Sequence, residues 1–182
     1  KLGVKVIDLS ADYRLKDAKL YKKFYKVDHK DKAHLKDAVY GLPEIYCNKI
    51  KTAKIVANPG CYPTAAILGL APLAALGLID LDSVIIDAKS GVSGAGKKVE
   101  KEFLFLEVDE DFRAYKVNAH QHMPEIAQEI GKLSGKKVNL TFVPHLLPLE
   151  RGILETIYVK KIKSSKNKVQ NLISLYKKFY KD

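Results

Sequence analysis

The feature that most constrains this chain is the apolar run at residues 65–79, AAILGLAPLAALGLI, set directly behind the turn sequence Asn58-Pro59-Gly60-Cys61-Tyr62-Pro63-Thr64. The run is too short to span a bilayer, and Gly69, Pro72 and Gly77 interrupt it, so it belongs to the core of a globular protein. Pro63 suits the first turn of a helix, where its missing N–H is no loss. The pattern predicts a helix to about residue 70, with Pro72 ending or restarting it and Gly77 closing the second piece.

Around this run, strand-like and helix-like patterns alternate, which argues for a mixed α/β or α+β fold and against a bundle. Val4, Val6 and Ile7 read as a strand, 17–26 as a helix with Leu20, Tyr21, Phe24 and Tyr25 on one face, and 29–37 as a charged loop or short helix. Residues 40–44 punctuate the chain, and 54–57 form a brief strand before the cysteine. Residues 83–88 read as a buried strand leading into a glycine-rich loop, and 100–107 fit either a strand or a helix. A helix is predicted at 124–133, closed by Gly135, followed by strands at 138–143 and 152–162 and an amphipathic helix within 167–181. The chain opens inside a strand-like pattern and stops at a helix, so it reads as a piece of a larger protein.

Composition narrows the class. With 182 residues, 47% hydrophobic and 29% charged, the chain can bury a core and is neither disordered nor fibrous. The net charge of +11 suggests nucleic acid at first. Its lysines, however, are scattered through the sequence, many near Asp or Glu, and no aromatic-interleaved basic motif appears, so a solvated basic surface that suits small anions is the better reading. Neither nucleic acid nor a membrane is expected as a partner. Residues 1–10 lack the pattern of a secretory signal, and two cysteines without framework spacing fit a reducing cytoplasm.

One of those cysteines is placed for chemistry. A thiol is a nucleophile as thiolate, and the unpaired amides at a helix N-terminus favour the anion. Cys61 sits where that effect acts, and the same amides suit an oxyanion on a carbonyl bound to sulfur. A small buried cysteine is the competing reading. Cys47, within Ile45-Tyr46-Cys47-Asn48, reads as structural. The proton partner would be a histidine. His29 and His34 lie in a lysine-rich segment, whereas His120 and His122 stand together at a helix start. Zinc held by His120, His122, His145 and a cysteine is disfavoured, because no Cys-x-x-Cys pair exists. The loop Ser90-Gly91-Val92-Ser93-Gly94-Ala95-Gly96-Lys97-Lys98 follows a buried strand. Its backbone donors can cradle an anion, or it is a tight turn. It is neither the dinucleotide fingerprint nor a Walker loop.

Taken together, DLSADYR at 8–14, YGLPE at 40–44, 57–64 with NPGCYPT, 89–97 with SGVSGAGK, 120–126 and 144–154 resemble N-acetyl-γ-glutamyl-phosphate reductases, relatives of aspartate-semialdehyde dehydrogenase. The resemblance runs in order from about Val4 to Tyr158. It implies an α+β fold of the α/β class, with a mixed, mostly antiparallel sheet and helices on one face. Residues 1–60 would be the C-terminal part of a nucleotide-binding domain, and 61–182 a catalytic and dimerisation domain.

The implied reaction is NADPH-dependent reduction of an acyl phosphate to an aldehyde, in arginine biosynthesis. Cys61 would be the nucleophile and His122 the acid/base. His120, Gln121, Ser93, Lys97 and Arg151 would bind the substrate, and Ser90, Gly91 and Gly94 would lie near the NADP(H) nicotinamide. No metal is implied, and a homo-oligomer, dimer or tetramer, is expected. Gln121 stands where this family commonly has a basic residue, which shifts anion binding toward Lys97 or Arg151. Family members are about twice this length, and the glycine fingerprint is absent here, so the chain by itself is not expected to turn over. The alternatives are a reductase of carrier-linked aminoadipyl or glutamyl phosphate in lysine biosynthesis and a non-catalytic dimerisation module.

Overall fold

The computed structural model describes residues 3–95, 101–162 and 171–181. The chain begins with a three-stranded parallel sheet, β1 (Val6–Asp8), β3 (Ile55–Ala57) and β2 (Ala38–Tyr40) in that spatial order, with Val6 and Ala38 both in register with Ile55. Between these strands lie α1 (Ala18–Tyr25) and α2 (Pro43–Thr52). The Asp17 side chain caps α1 by accepting from the Lys19 amide, and Lys26 closes it in the left-handed conformation (φ 62°). The helix α2 is an addition to the sequence reading, which took Pro43 as punctuation. Pro43 is its first residue, where a ring is tolerated.

The apolar run becomes α3 (Cys61–Ala75), followed by β4 (Val84–Ser90), a 3₁₀ turn at Val92–Ala95, α4 (Phe105–Val108) and β5 (Arg113–Ala114). Then come α5 (Met123–Ser134), β6 (Leu140–Leu146), β7 (Ile153–Tyr158) and α6 (Leu172–Phe179). The second sheet has the order β5-β6-β4-β7. The central β4–β6 pairing is parallel, and the two flanking pairings are antiparallel. The sheet is therefore mixed and mostly antiparallel, as expected.

Its two faces differ. Along β4, Val84, Ile86, Ala88 and Ser90 are buried, while Ile85 is exposed and Asp87 and Lys89 are half-buried. The period of two puts the buried set under α3 and α5, both of which pack on this side, and leaves the other face open. Ile67, Leu70, Ile86, Ile126, Ile130 and Phe142 form the centre of the core.

Pro72 neither ends nor restarts α3, contrary to the expectation. A proline inside a helix withdraws the donor that would serve the carbonyl four residues back, here Leu68. The Tyr180 hydroxyl, just past α6, donates to the Leu68 oxygen at 2.6 Å, and Tyr176 bonds the neighbouring Gly69 oxygen. The terminal helix thus supplies the partner that the proline removed.

Candidate active site

Cys61 is the first residue of α3, and Gly60 is its N-cap. The thiol therefore stands at the helix start, where the amides of Tyr62 and of Cys61 itself favour its thiolate. Desolvation is nonetheless the largest influence and pushes the thiol up. The two amides and the Arg14 charge act in the opposite direction, and Glu125 acts with desolvation. The net effect is a thiol raised above a free cysteine, which corrects the simple helix-dipole expectation. The residue itself remains exposed.

Gly60 is not a conformational requirement: its φ of −66° and ψ of 157° are ordinary. It is a requirement of space. A Cβ there would lie 2.6 Å from Nε2 of His122, so only glycine lets the imidazole lie against the chain next to the thiol. Thr64 fixes the turn through its amide and hydroxyl, which donate to the Gly60 oxygen at 3.0 and 2.9 Å. Arg14 secures the preceding residues, its Nε donating to the Asn58 oxygen at 2.7 Å.

His120 and His122 are both buried, their rings 4.7 Å apart. The His122 amide donates to Nδ1 of His120 at 3.1 Å, which places the proton of a neutral His120 ring on Nε2. Burial lowers His120 to about 4, with Lys116 adding to it. His122 is lowered to about 3, first by burial and then by His120 and Arg14. Both rings are neutral near pH 7, and His122 can accept a proton. Tyr62 packs edge-on to both histidines and shares a 3.0 Å hydroxyl contact with Tyr115. Burial raises both phenols, so they serve as neutral hydrogen-bonding groups.

These groups line one cavity of about 210 Å³, walled by Cys61, Tyr62, Tyr115, Lys116, His120, Gln121 and His122 on one side and Ser90, Gly91 and Gly94 on the other. Seven of the sequence-predicted positions thus meet: Cys61, His120, Gln121, His122, Ser90, Gly91 and Gly94. Ser93 is exposed and not part of this wall, and Arg151 lies on the surface, paired with Glu150 at 3.1 Å. Lys97 lies outside the described residues.

The described backbone donors at the start of the glycine loop are engaged. Gly91, Val92 and Ser93 donate to the oxygens of Gly152, Leu149 and Glu150, and a Cβ on Gly91 would sit 2.7 Å from the Leu149 oxygen. Residues 91–93 make a tight return against residues 149–152, so these amides are not free to cradle a phosphate. His145 lies on the opposite face of the sheet, 3.2 Å from Asp87, and no metal-holding cluster of His, Cys, Asp or Glu is found among the described residues.

Sequence reasoning missed Tyr62, Tyr115 and Lys116 as cavity residues and gave Arg14 and Glu125 no role. The signals available were adjacency alone: Tyr62 follows Cys61, and Tyr115-Lys116 stand five and four residues before His120.

The family model described as semialdehyde dehydrogenase, dimerisation domain, matches residues 61–182, and that described as semialdehyde dehydrogenase, NAD binding domain, matches residues 1–53. N-acetyl-γ-glutamyl-phosphate reductases are similar over nearly all of the chain. That of Clostridium novyi (strain NT) is 51% identical over 181 residues, and that of Caldicellulosiruptor saccharolyticus is 55% identical over 182. Each comparison covers 100% of this chain and 52% of the relative, so the chain spans about half the length of the relatives it matches. Aspartate semialdehyde dehydrogenase with NADP from Candida albicans shares the fold at a TM-score of 0.53, with 14% identity over 97% of this chain and 48% of that one. With the dimerisation-domain model covering residues 61–182, the chain belongs to the semialdehyde dehydrogenase family.

Proposed function

We propose that this chain carries the catalytic part of a reductase that converts N-acetyl-γ-glutamyl phosphate and NADPH to the semialdehyde, NADP⁺ and phosphate. In this reading residues 1–60 complete a nucleotide-binding domain and 61–182 form the catalytic and dimerisation domain. The observation that carries it is Cys61, the first residue of α3, lining the same cavity as a buried, neutral His122.

The thiol transfers its proton to His122 and attacks the acyl carbon, the acyl–oxygen bond to phosphate breaks, and a thioester forms on Cys61. The imidazolium so formed has the new anionic centre as its counter-charge, which offsets the burial that keeps the free ring neutral. The amides at the start of α3 stabilise the oxyanion. The Ser90, Gly91 and Gly94 wall is assigned to the nicotinamide end of the cofactor. NADPH supplies the hydride that reduces the thioester. His122 then returns its proton to the leaving thiolate as the aldehyde departs.

His120 and Gln121 orient the acyl chain from the cavity wall, and further substrate contacts are assigned to Ser93 and Lys97. Arg151 is assigned to the substrate carboxylate and must leave Glu150 to reach it. Self-association uses the open face of the second sheet, where exposed Ile85, Leu154 and Tyr158 surround the Asp87–Lys89 pair. The family description of residues 61–182 as a dimerisation domain supports this use.

The test is stoichiometry in the full-length protein. NADPH oxidation matched one-to-one by phosphate release, and lost in Cys61→Ser, supports the reading. Oxidation that persists in Cys61→Ser, or no turnover of this acyl phosphate, overturns it.

A further inference from the structure

Two glutamates one turn apart on α5, Glu125 and Glu129, are fully buried, and they are treated differently. Glu129 is saturated: it accepts from Tyr46 at 2.6 Å, from Gln128 at 2.7 Å and from Lys132 at 2.6 Å. Glu125 uses one oxygen twice and the other not at all. Its Oε1 accepts from the Gly60 amide at 2.9 Å and from the Tyr40 hydroxyl at 2.7 Å, while Oε2 is buried without a partner.

A buried carboxyl with a bare oxygen is a poor device for stability, since an apolar side chain of similar volume fills such a place at lower cost. Its position suggests another use. Cys61 and His122 stand at the starts of different helices, and their separation has to be fixed by something that spans both. Glu125 lies three residues beyond His122 on the same helix and grips the amide of the residue before Cys61. The His122 ring lies against that same Gly60. Tyr40, at the end of β2, ties the junction to the first sheet.

We infer that Glu125 is a positioning residue of the active site, holding the Gly60–Cys61 turn at a fixed distance from the imidazole of His122. It touches neither substrate nor cofactor and acts through the nucleophile's backbone. The inference rests on the reaction proposed above, and a misplacement of about 1 Å in such a pair can cost about a hundredfold in rate.

The test compares Glu125→Leu, which deletes the acceptor, with Glu125→Gln, which keeps a carbonyl oxygen for Gly60 and Tyr40. Both are made in the full-length protein with Cys47→Ser. Glu125→Leu is expected to lower kcat about 100-fold with KM within about threefold, the pattern of lost geometry and not of lost binding. Glu125→Gln is expected to stay within about fivefold of wild type. The second readout is iodoacetamide labelling of Cys61. His122→Ala slows labelling when Glu125 is present, and this dependence disappears in Glu125→Leu.

A folded Glu125→Leu protein with wild-type kcat and intact His122 dependence overturns the inference, as does a Glu125→Gln protein as impaired as the leucine variant. Leucine strands two buried donors. If that variant does not fold, Glu125→Asp, which withdraws the acceptor by one methylene, takes its place: lower kcat at constant KM supports the inference, and unchanged kcat refutes it. If the wild-type protein reduces no acyl phosphate, the reaction reading fails, and Glu125 is judged on the labelling dependence alone.

Discussion

Cys47 and Cys61 are both exposed and both helical, yet their surroundings share nothing else. Cys47 is the fifth residue of α2, a helix with no buried residue, and follows a kink at Tyr46. Cys61 is the first residue of α3 and lines a cavity with two buried histidines, two tyrosines and a glycine loop. Exposure therefore does not distinguish the two thiols. What distinguishes them is the helix end and the packed groups that converge on it, which can lower the barrier for proton transfer and hold a developing charge.

The largest effect that could break this contrast is replacement of the thiols themselves. Cys61→Ser is expected to reduce turnover by about 10³-fold or more, and Cys47→Ser to leave it within about twofold. Steady-state kinetics of the two variants decides this, and equal losses would dissolve the distinction. Next comes His122→Ala, expected to lower kcat by about 10² to 10³-fold through loss of the proton acceptor.

The histidines also predict an acid sensitivity that belongs to the Cys61 region. Their folded values, about 4 and about 3, lie below that of a free histidine. The unfolded chain therefore binds more protons as pH falls below about 6.5, and stability is present above that value and lost toward pH 3 to 4. Urea titrations at pH 7 and pH 4 are expected to differ by about 3 kcal/mol from each of the two histidines, and His122→Asn should remove about half of the difference. The smallest effect sharpens the account of α3. Tyr180→Phe removes the donor to the Leu68 oxygen and is expected to cost about 1 kcal/mol in thermal or urea unfolding.

Local patterns carried much of this in the sequence. The α5 stripe of Ile126 and Ile130 with Gly135 behind it gave the helix, and in the structure Gly135 takes φ 68° at its end. The Val-Ile-Ile run in 83–88 pointed to β4 as a buried strand, whereas in the structure only alternate residues are buried and Ile85 is exposed. Pro-Gly-Cys before a long apolar run pointed to a nucleophile at a helix start.

The failures have tertiary causes. Helix α2 was missed because PEIYCNKIKT buries nothing and so lacks a strong apolar stripe. Pro72 looked like a stop because its compensating hydroxyl comes from Tyr180, 112 residues from Leu68. The loop amides at 91–93 looked free because their acceptors lie at 149–152, beyond two intervening strands. Glu125 looked like an ordinary first-turn acid, since nothing local signals that it reaches back 65 residues to Gly60.

The most direct test of the central claim leaves out the cofactor. The full-length protein is mixed with N-acetyl-γ-glutamyl phosphate without NADPH and quenched in acid, and its peptides are weighed by mass spectrometry alongside a phosphate assay. The account predicts one acyl group per chain on Cys61, matched by one phosphate released, with none on Cys47 and slower formation in His122→Ala. Phosphate release without acylation of Cys61, or equal acylation of the two cysteines, would contradict it.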